Sequence, residues 1–332
     1  MKKVSSFSRV GIVLLVTLMA AIVLAWPAFA ADTTSCKTKY PIILAHGMGF
    51  TPSPAFPHSF PGIVEALQAR GAAVLYPAVP AIASTREKAE AFKAAFLYIQ
   101  QTTPAAKYNI IGHSHGGLYT RDAITNLGLY PYVASLTTVD SPHRGSYIDQ
   151  LMLDIVELFP MFESLISGAL PFTGDPEKLK QNNLDLSVDY MTRVFNPNTP
   201  NKSGIYYQSF TCAYRYYDLL KALWDGITMI VQALTGSGVS VNPNDPVAVA
   251  KALYDVFPDL SAECYFLGGG LGDGLVQVSS SKWGTFLGTQ LGPWYSKGLN
   301  HLDAVNIQPY GQKWDAVSYW VKMVQNLKAK GY

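Results

Sequence analysis

The sequence predicts an α/β fold, a mostly parallel β-sheet flanked by helices. Three observations carry that expectation. Short apolar runs alternate along the chain with longer segments of helical period. The first run, Pro41-Ile42-Ile43-Leu44-Ala45, is almost continuously apolar, as a strand covered on both faces must be. And Gly112-His113-Ser114-His115-Gly116-Gly117 follows the run at 108–111 directly, where a tight strand-to-helix turn is expected.

The elements follow in order. After the strand at 41–45, residues 63–70 can form a helix and 74–76 a second buried strand. Residues 85–101 read as a helix: Ser84-x-x-Glu87 matches a capping box, and Ala89, Phe92, Phe96 and Ile99 share one face. Residues 108–111 and 133–139 read as strands, with a helix at 118–127 between them. Beyond Arg144 the alternation breaks. Residues 151–170 are apolar, but Asp154, Glu157, Pro160 and Glu163 argue against a membrane span. Residues 218–234 form a second apolar helical stretch. Both read as core helices or as parts of cap insertions, at about 147–200 and 213–260, lying over a site. Further strand-like runs occupy 205–210 and 265–267.

Bulk composition fits one large globular domain at 31–332: 49% of the 332 residues are hydrophobic and 14% charged. The N-terminus reads as an export signal at 1–30. Lys2, Lys3 and Arg9 form a basic region, 11–26 an apolar one, and Ala28-Phe29-Ala30 a cleavage site. An uncleaved anchor is the alternative, and Pro27 followed by small residues favours cleavage. The expected location is secreted or periplasmic. Without Lys2, Lys3 and Arg9 the chain carries 22 basic against 23 acidic residues, and no basic tract suggests a nucleic acid. Export permits a disulfide. Of Cys36, Cys212 and Cys264, the preferred pair is Cys212–Cys264, each beside a strand-like run.

Gly112-x-Ser114-x-Gly116 is the pattern of a serine exposed on a strained turn, with a helix N-terminus offering N–H groups beneath it. A serine hydroxyl needs a base, and the base an orienting acid. Of six histidines only His301 lies where the order serine, acid, histidine requires. Asp273, on the glycine-rich loop 268–274, is the expected acid, with Asp140 after the strand at 133–139 as the rival. Two backbone N–H groups are expected to form an oxyanion hole, from His115 and from Met48 in the loop after the first strand.

These residues together resemble the secreted bacterial true lipases of the Pseudomonas and Burkholderia type. The matching segments are 40–48, 112–117, 141–146, 273–276 with Ser279-Ser280, and 300–303 with Val305-Asn306. The resemblance implies an α/β-hydrolase fold with helical lid insertions, cleavage of triacylglycerols or other esters at a lipid–water interface, and a Ser114–Asp273–His301 triad. A short-chain esterase, a polyester hydrolase or a non-catalytic anchored binding protein are the alternatives on the same fold. The resemblance also implies a dedicated folding chaperone and a structural calcium ion, with Asp303 and the position of Asn242 among its ligands. Ile307 falls where a side-chain ligand is expected and cannot coordinate. The first loop, Met48-Gly49-Phe50, is also one residue shorter than the family pattern.

Overall fold

The computed structural model describes residues 33–49, 59–150, 153, 176–215, 248, 251, 255, 270–311 and 313–332. Six parallel strands form one sheet: β1 (Ile42–Ala45), β2 (Val74–Leu75), β3 (Tyr108–His113), β4 (Val133–Val139), β5 (Tyr206–Cys212) and β6 (Thr285–Gln290). Their spatial order is β2-β1-β3-β4-β5-β6. Register runs from Ala45 opposite Gly112 to His113 opposite Val139, so the carboxyl ends of β1, β3 and β4 come level. Ligand sites of open α/β sheets form at that edge.

The helices are α1 (Ile63–Gln68), α2 (Thr85–Thr102), α3 (His115–Asn126) and α4 (Pro176–Leu186), then the single turn α5 (Val278–Ser281), and α6 (Ala316–Ala329) at the C-terminus. Side chains alternate across each strand, so the sheet feeds two apolar cores. Ile42 and Leu44 pack with α1 and α6, including Leu67, Trp320 and Val324. Ile43 and Ala45 pack with α2 and α3, where Phe92, Phe96, Tyr119 and Ile124 meet. Thr34–Tyr332 is one compact unit. Among the described residues, no helix is long and apolar enough to cross a membrane.

The expected strands at 41–45, 74–76, 108–111, 133–139 and 205–210 all form, with ends shifted by no more than two residues. The capping box on α2 is made: Ser84 Oγ accepts the Glu87 N–H at 3.1 Å, and Glu87 Oε2 accepts the Ser84 N–H at 2.9 Å. The helix expected at 118–127 begins earlier, immediately after Ser114. The runs at 1–30, 154–170, 218–234 and 265–267 lie outside the described residues. Cys212 corrects an expectation. It is a free, fully buried cysteine at the end of β5, packed in the core with Trp320 and Ala304, so the Cys212–Cys264 disulfide is not made. Its partner in that pairing, Cys264, is outside the described residues.

Two substitutions on α2 separate cap from core. Ser84→Ala is expected to cost about 1 kcal/mol through the lost cap. Phe92→Ala, which empties a fully buried site, is expected to cost about 3–5 kcal/mol. Urea unfolding of both variants checks the difference, and equal losses would contradict it.

Candidate active site

Ser114 joins β3 to α3 with φ 56° and ψ −131°. A positive φ is rare for any residue with a Cβ and stores strain. The Ser114 N–H donates to the Val139 carbonyl at 2.9 Å, which pins the turn to the end of β4. Its neighbours must be small. A Cβ on Gly112 would lie 2.6 Å from the Gly117 nitrogen, and one on Gly116 would collide with the Ala45 carbonyl of β1. The loop after β1 then passes over the serine: a Cβ on Gly47 would lie 2.8 Å from Ser114 Cβ and 3.3 Å from Oγ. Tyr119 of α3 holds that loop by donating its hydroxyl to the His46 carbonyl at 3.0 Å.

His301 and Asp273 meet from two separate loops. His301 Nδ1 and Asp273 Oδ2 are 2.7 Å apart, and the His301 N–H donates to the Asp273 carbonyl at 2.9 Å. The other carboxylate oxygen, Oδ1, accepts the N–H groups of Leu275 and Val276 at 3.0 and 2.8 Å. Positive φ at Gly270 and Gly274 lets the loop fold back on the aspartate. The histidine loop is closed internally. Asn300 Oδ1 accepts the N–H groups of Leu302 and Asp303, and Asp303 Oδ2 accepts the Asn300 N–H. Trp320 anchors the loop from α6 by donating to the Ala304 carbonyl at 2.7 Å.

Asp303 therefore works in a turn on itself. Asn242 lies outside the described residues, and Ile307 is buried and apolar. Calcium takes six to eight oxygens, and of the side chains the resemblance assigns to it, the Asp303 carboxylate is the one among the described residues. Among the described residues, one other group could gather around a cation. Ring nitrogens of His113 and His301 and a carboxylate oxygen of Asp140 lie within 4.8 Å of one another.

The histidines divide by environment. Burial lowers the pKa of His46 to about 4, and the ring is fixed between the Gly47 carbonyl and the Val79 N–H. Burial also drives His113, His115 and His143 well below the ordinary range, with neighbouring positive charge or a second imidazole adding to it. His301 is the exception. Burial lowers it, but the charge and hydrogen bond of Asp273, with the charges of Asp140 and Asp149, raise it overall.

Three neighbours escaped the sequence reading. His113 lies against the expected base: its ring packs 4.6 Å from that of His301, and its Nε2 lies 3.2 Å from the His301 carbonyl. Asn182 of α4 donates to Met48 Sδ at 2.9 Å, while Asp185 accepts the Thr85 N–H at 2.6 Å. Thr85 Oγ1 lies 2.8 Å from His115 Nε2. The cap segment thus rests on both residues expected at the oxyanion hole. An interval of 134 residues between Met48 and Asn182 leaves no pattern in the sequence that would pair them.

The chain is 26% identical over 320 residues to a triacylglycerol lipase of Pseudomonas fragi, covering 90% of this chain and 99% of that one. It is 27% identical over 292 residues to triacylglycerol lipase 2 of Saccharomyces cerevisiae, covering 82% and 73%. The chain is a relative of the bacterial triacylglycerol lipases. Lipase 1 from Pelosinus fermentans superposes with a TM-score of 0.53 at 16% identity, covering 88% of this chain and 99% of that one, which is a likeness of fold. No family model matches. This relative of the lipases is a hydrolase with the α/β-hydrolase fold.

The buried neutral histidines set a pH dependence of stability. His46 titrates near 6.5 when unfolded and near 4 when folded. Between those values the unfolded chain binds the extra proton, so stability is fully present above pH 6.5 and is lost as pH falls toward 4. His113, His115 and His143 act in the same direction. The raised His301 acts in the opposite one, as do the buried carboxyls of Asp140 and Asp149, raised to about 8 and about 7. His46→Gln, which removes one of these titrations, is expected to make the change of melting temperature between pH 6.5 and 4 less destabilising on the acid side than in the parent protein, and an unchanged slope would contradict the assignment.

Proposed function

We propose that this protein is an exported triacylglycerol lipase that cleaves ester bonds through an acyl-enzyme on Ser114. The observation that carries the reading is the 2.7 Å contact of His301 Nδ1 with Asp273, on loops at the same sheet edge as the strained Ser114 turn. A proton held on Nδ1 by the carboxylate leaves Nε2 as the basic nitrogen. Nε2 takes the Ser114 proton as Oγ attacks the ester carbonyl. The tetrahedral oxyanion is met by the N–H groups of His115 and Met48. His115 is the first residue of α3, so its N–H has no acceptor within the helix. Each such donor contributes roughly 2.7–4 kcal/mol to the transition state. The imidazolium then gives its proton to the departing alcohol. Water, deprotonated by the same nitrogen, attacks the acyl-enzyme and frees the fatty acid and Ser114.

The triacylglycerol substrate rests on the relatives bearing that name, and export rests on the basic, apolar and Ala-x-Ala segments of 1–30. Hydrolysis of emulsified long-chain triacylglycerol and of a soluble short-chain ester tests the reading. The purified protein is expected to cleave the emulsion, and Ser114→Ala and His301→Ala to lose roughly a thousandfold or more in kcat on both. Cleavage of the soluble ester alone would make the protein an esterase. Full activity in Ser114→Ala would overturn the mechanism.

A further inference from the structure

Asp140 has no part in the reaction as derived, yet its setting is unusual. It follows Val139, which lies opposite His113, so it stands beside Ser114 at the carboxyl edge of the sheet. The residue is fully buried. Its backbone is left-handed, with φ 49°, which aspartate tolerates better than most residues with a Cβ. The carboxyl group is held from one side only. Oδ1 accepts the Cys212 N–H at 2.6 Å and the Thr211 hydroxyl at 2.8 Å, while the buried Oδ2 has no hydrogen-bond partner among the described residues. A carboxylate oxygen of Asp140 lies within 4.8 Å of a ring nitrogen of His301.

A purely structural carboxyl in this position would be expected to satisfy both oxygens, since an unpaired buried acceptor is costly. Here one oxygen is anchored to β5 and the other is left over, on a carboxyl group within 4.8 Å of a ring nitrogen of His301, among the described residues the one histidine raised by acidic neighbours. We propose that Asp140 is a reserve acid for His301, accepting the imidazole Nδ1–H when Asp273 cannot.

The electrostatics fit this role. Burial first, and the Asp273 charge second, raise the Asp140 carboxyl to about 8, while His301, the Cys212 N–H and the Thr211 hydroxyl draw it down. The groups facing it are His113 from β3, Thr211 and Cys212 from β5, Tyr319 from α6, and Asp273 and His301 from their loops. Removing the Asp273 charge takes away one of the two causes that keep Asp140 protonated. Asp140 therefore becomes a better acceptor in the circumstance that requires one.

The inference rests on the Ser114–His301 reading, and its test separates the two. Asp140→Asn, Asp273→Asn and the double variant are compared on a soluble ester, with Ser114→Ala as a control. Asn also accepts a positive φ, so the turn is preserved. Asp140→Gly, equally at home there and without a carboxyl, provides a second background, and melting curves establish that each variant is folded. Asp140→Asn alone is expected to lower kcat several-fold. The double variant is expected to lose at least about tenfold more than the product of the two single losses, in kcat and not in KM. Asp140→Gly combined with Asp273→Asn is expected to show the same excess. Losses that simply multiply in both backgrounds, with Ser114→Ala inactive, would overturn the reserve acid alone. An active Ser114→Ala would overturn the reading beneath it.

Discussion

The left-handed backbone at Ser114 is the constraint on which the rest of the molecule depends. It holds a hydroxyl above the sheet only because β3 and α3 can turn through a space with no side chains. Gly112 and Gly116 leave that space open, and the approach of α3 to the Ala45 carbonyl uses all of it. The strain is supported by what surrounds the turn. The Ser114 N–H is tied to β4, the first loop is tied to α3 through Tyr119, and buried strands β1, β3 and β4 form the floor. A strained turn persists where its surroundings over-determine it, and here three neighbouring elements do so.

The second organising feature is the separation of charge among buried imidazoles. Four histidines near the sheet edge are held neutral by burial, and each is fixed by hydrogen bonds to backbone or hydroxyl groups or by stacking. One histidine has a carboxylate. A proton therefore has a single favourable place to rest among them, on the ring of His301. The cap helix α4 adds mechanical coupling: Asn182 touches Met48, and Asp185 caps α2 beside the partner of His115. The geometry of the first loop and the docking of the cap are thus one problem in packing.

Much of this was legible in the sequence because the central strands are covered on both faces. β1, β3 and β4 are buried throughout, so their residues are apolar or small without interruption, and their runs stand out. The Ser84–Glu87 cap and the apolar face of α2 follow local rules that the fold respects. β6 went unread because it is an edge strand. Its residues alternate in exposure, and Gly288 interrupts the apolar pattern. α4 is largely polar, and its function lies in distant contacts of Asn182 and Asp185, which leave no periodic signal. Lys88 looks like a solvent-facing helical lysine, yet it is buried, with its ammonium on the Ala81 carbonyl and its pKa lowered by burial to about 7. Cys212 was read as half of a disulfide from its place beside a strand, whereas the end of β5 turns its thiol into the core. In each case a tertiary contact overrode the local pattern.

Reaction of the folded protein with a fluorophosphonate, followed by mass spectrometry of the peptides, tests the central claim most directly. Such a probe bonds to a serine only when a neighbouring base activates it. The account predicts one adduct, on the peptide containing Ser114, formed rapidly in the native protein and abolished in His301→Ala. An unmodified Ser114, or an adduct that forms equally fast without His301, would contradict it.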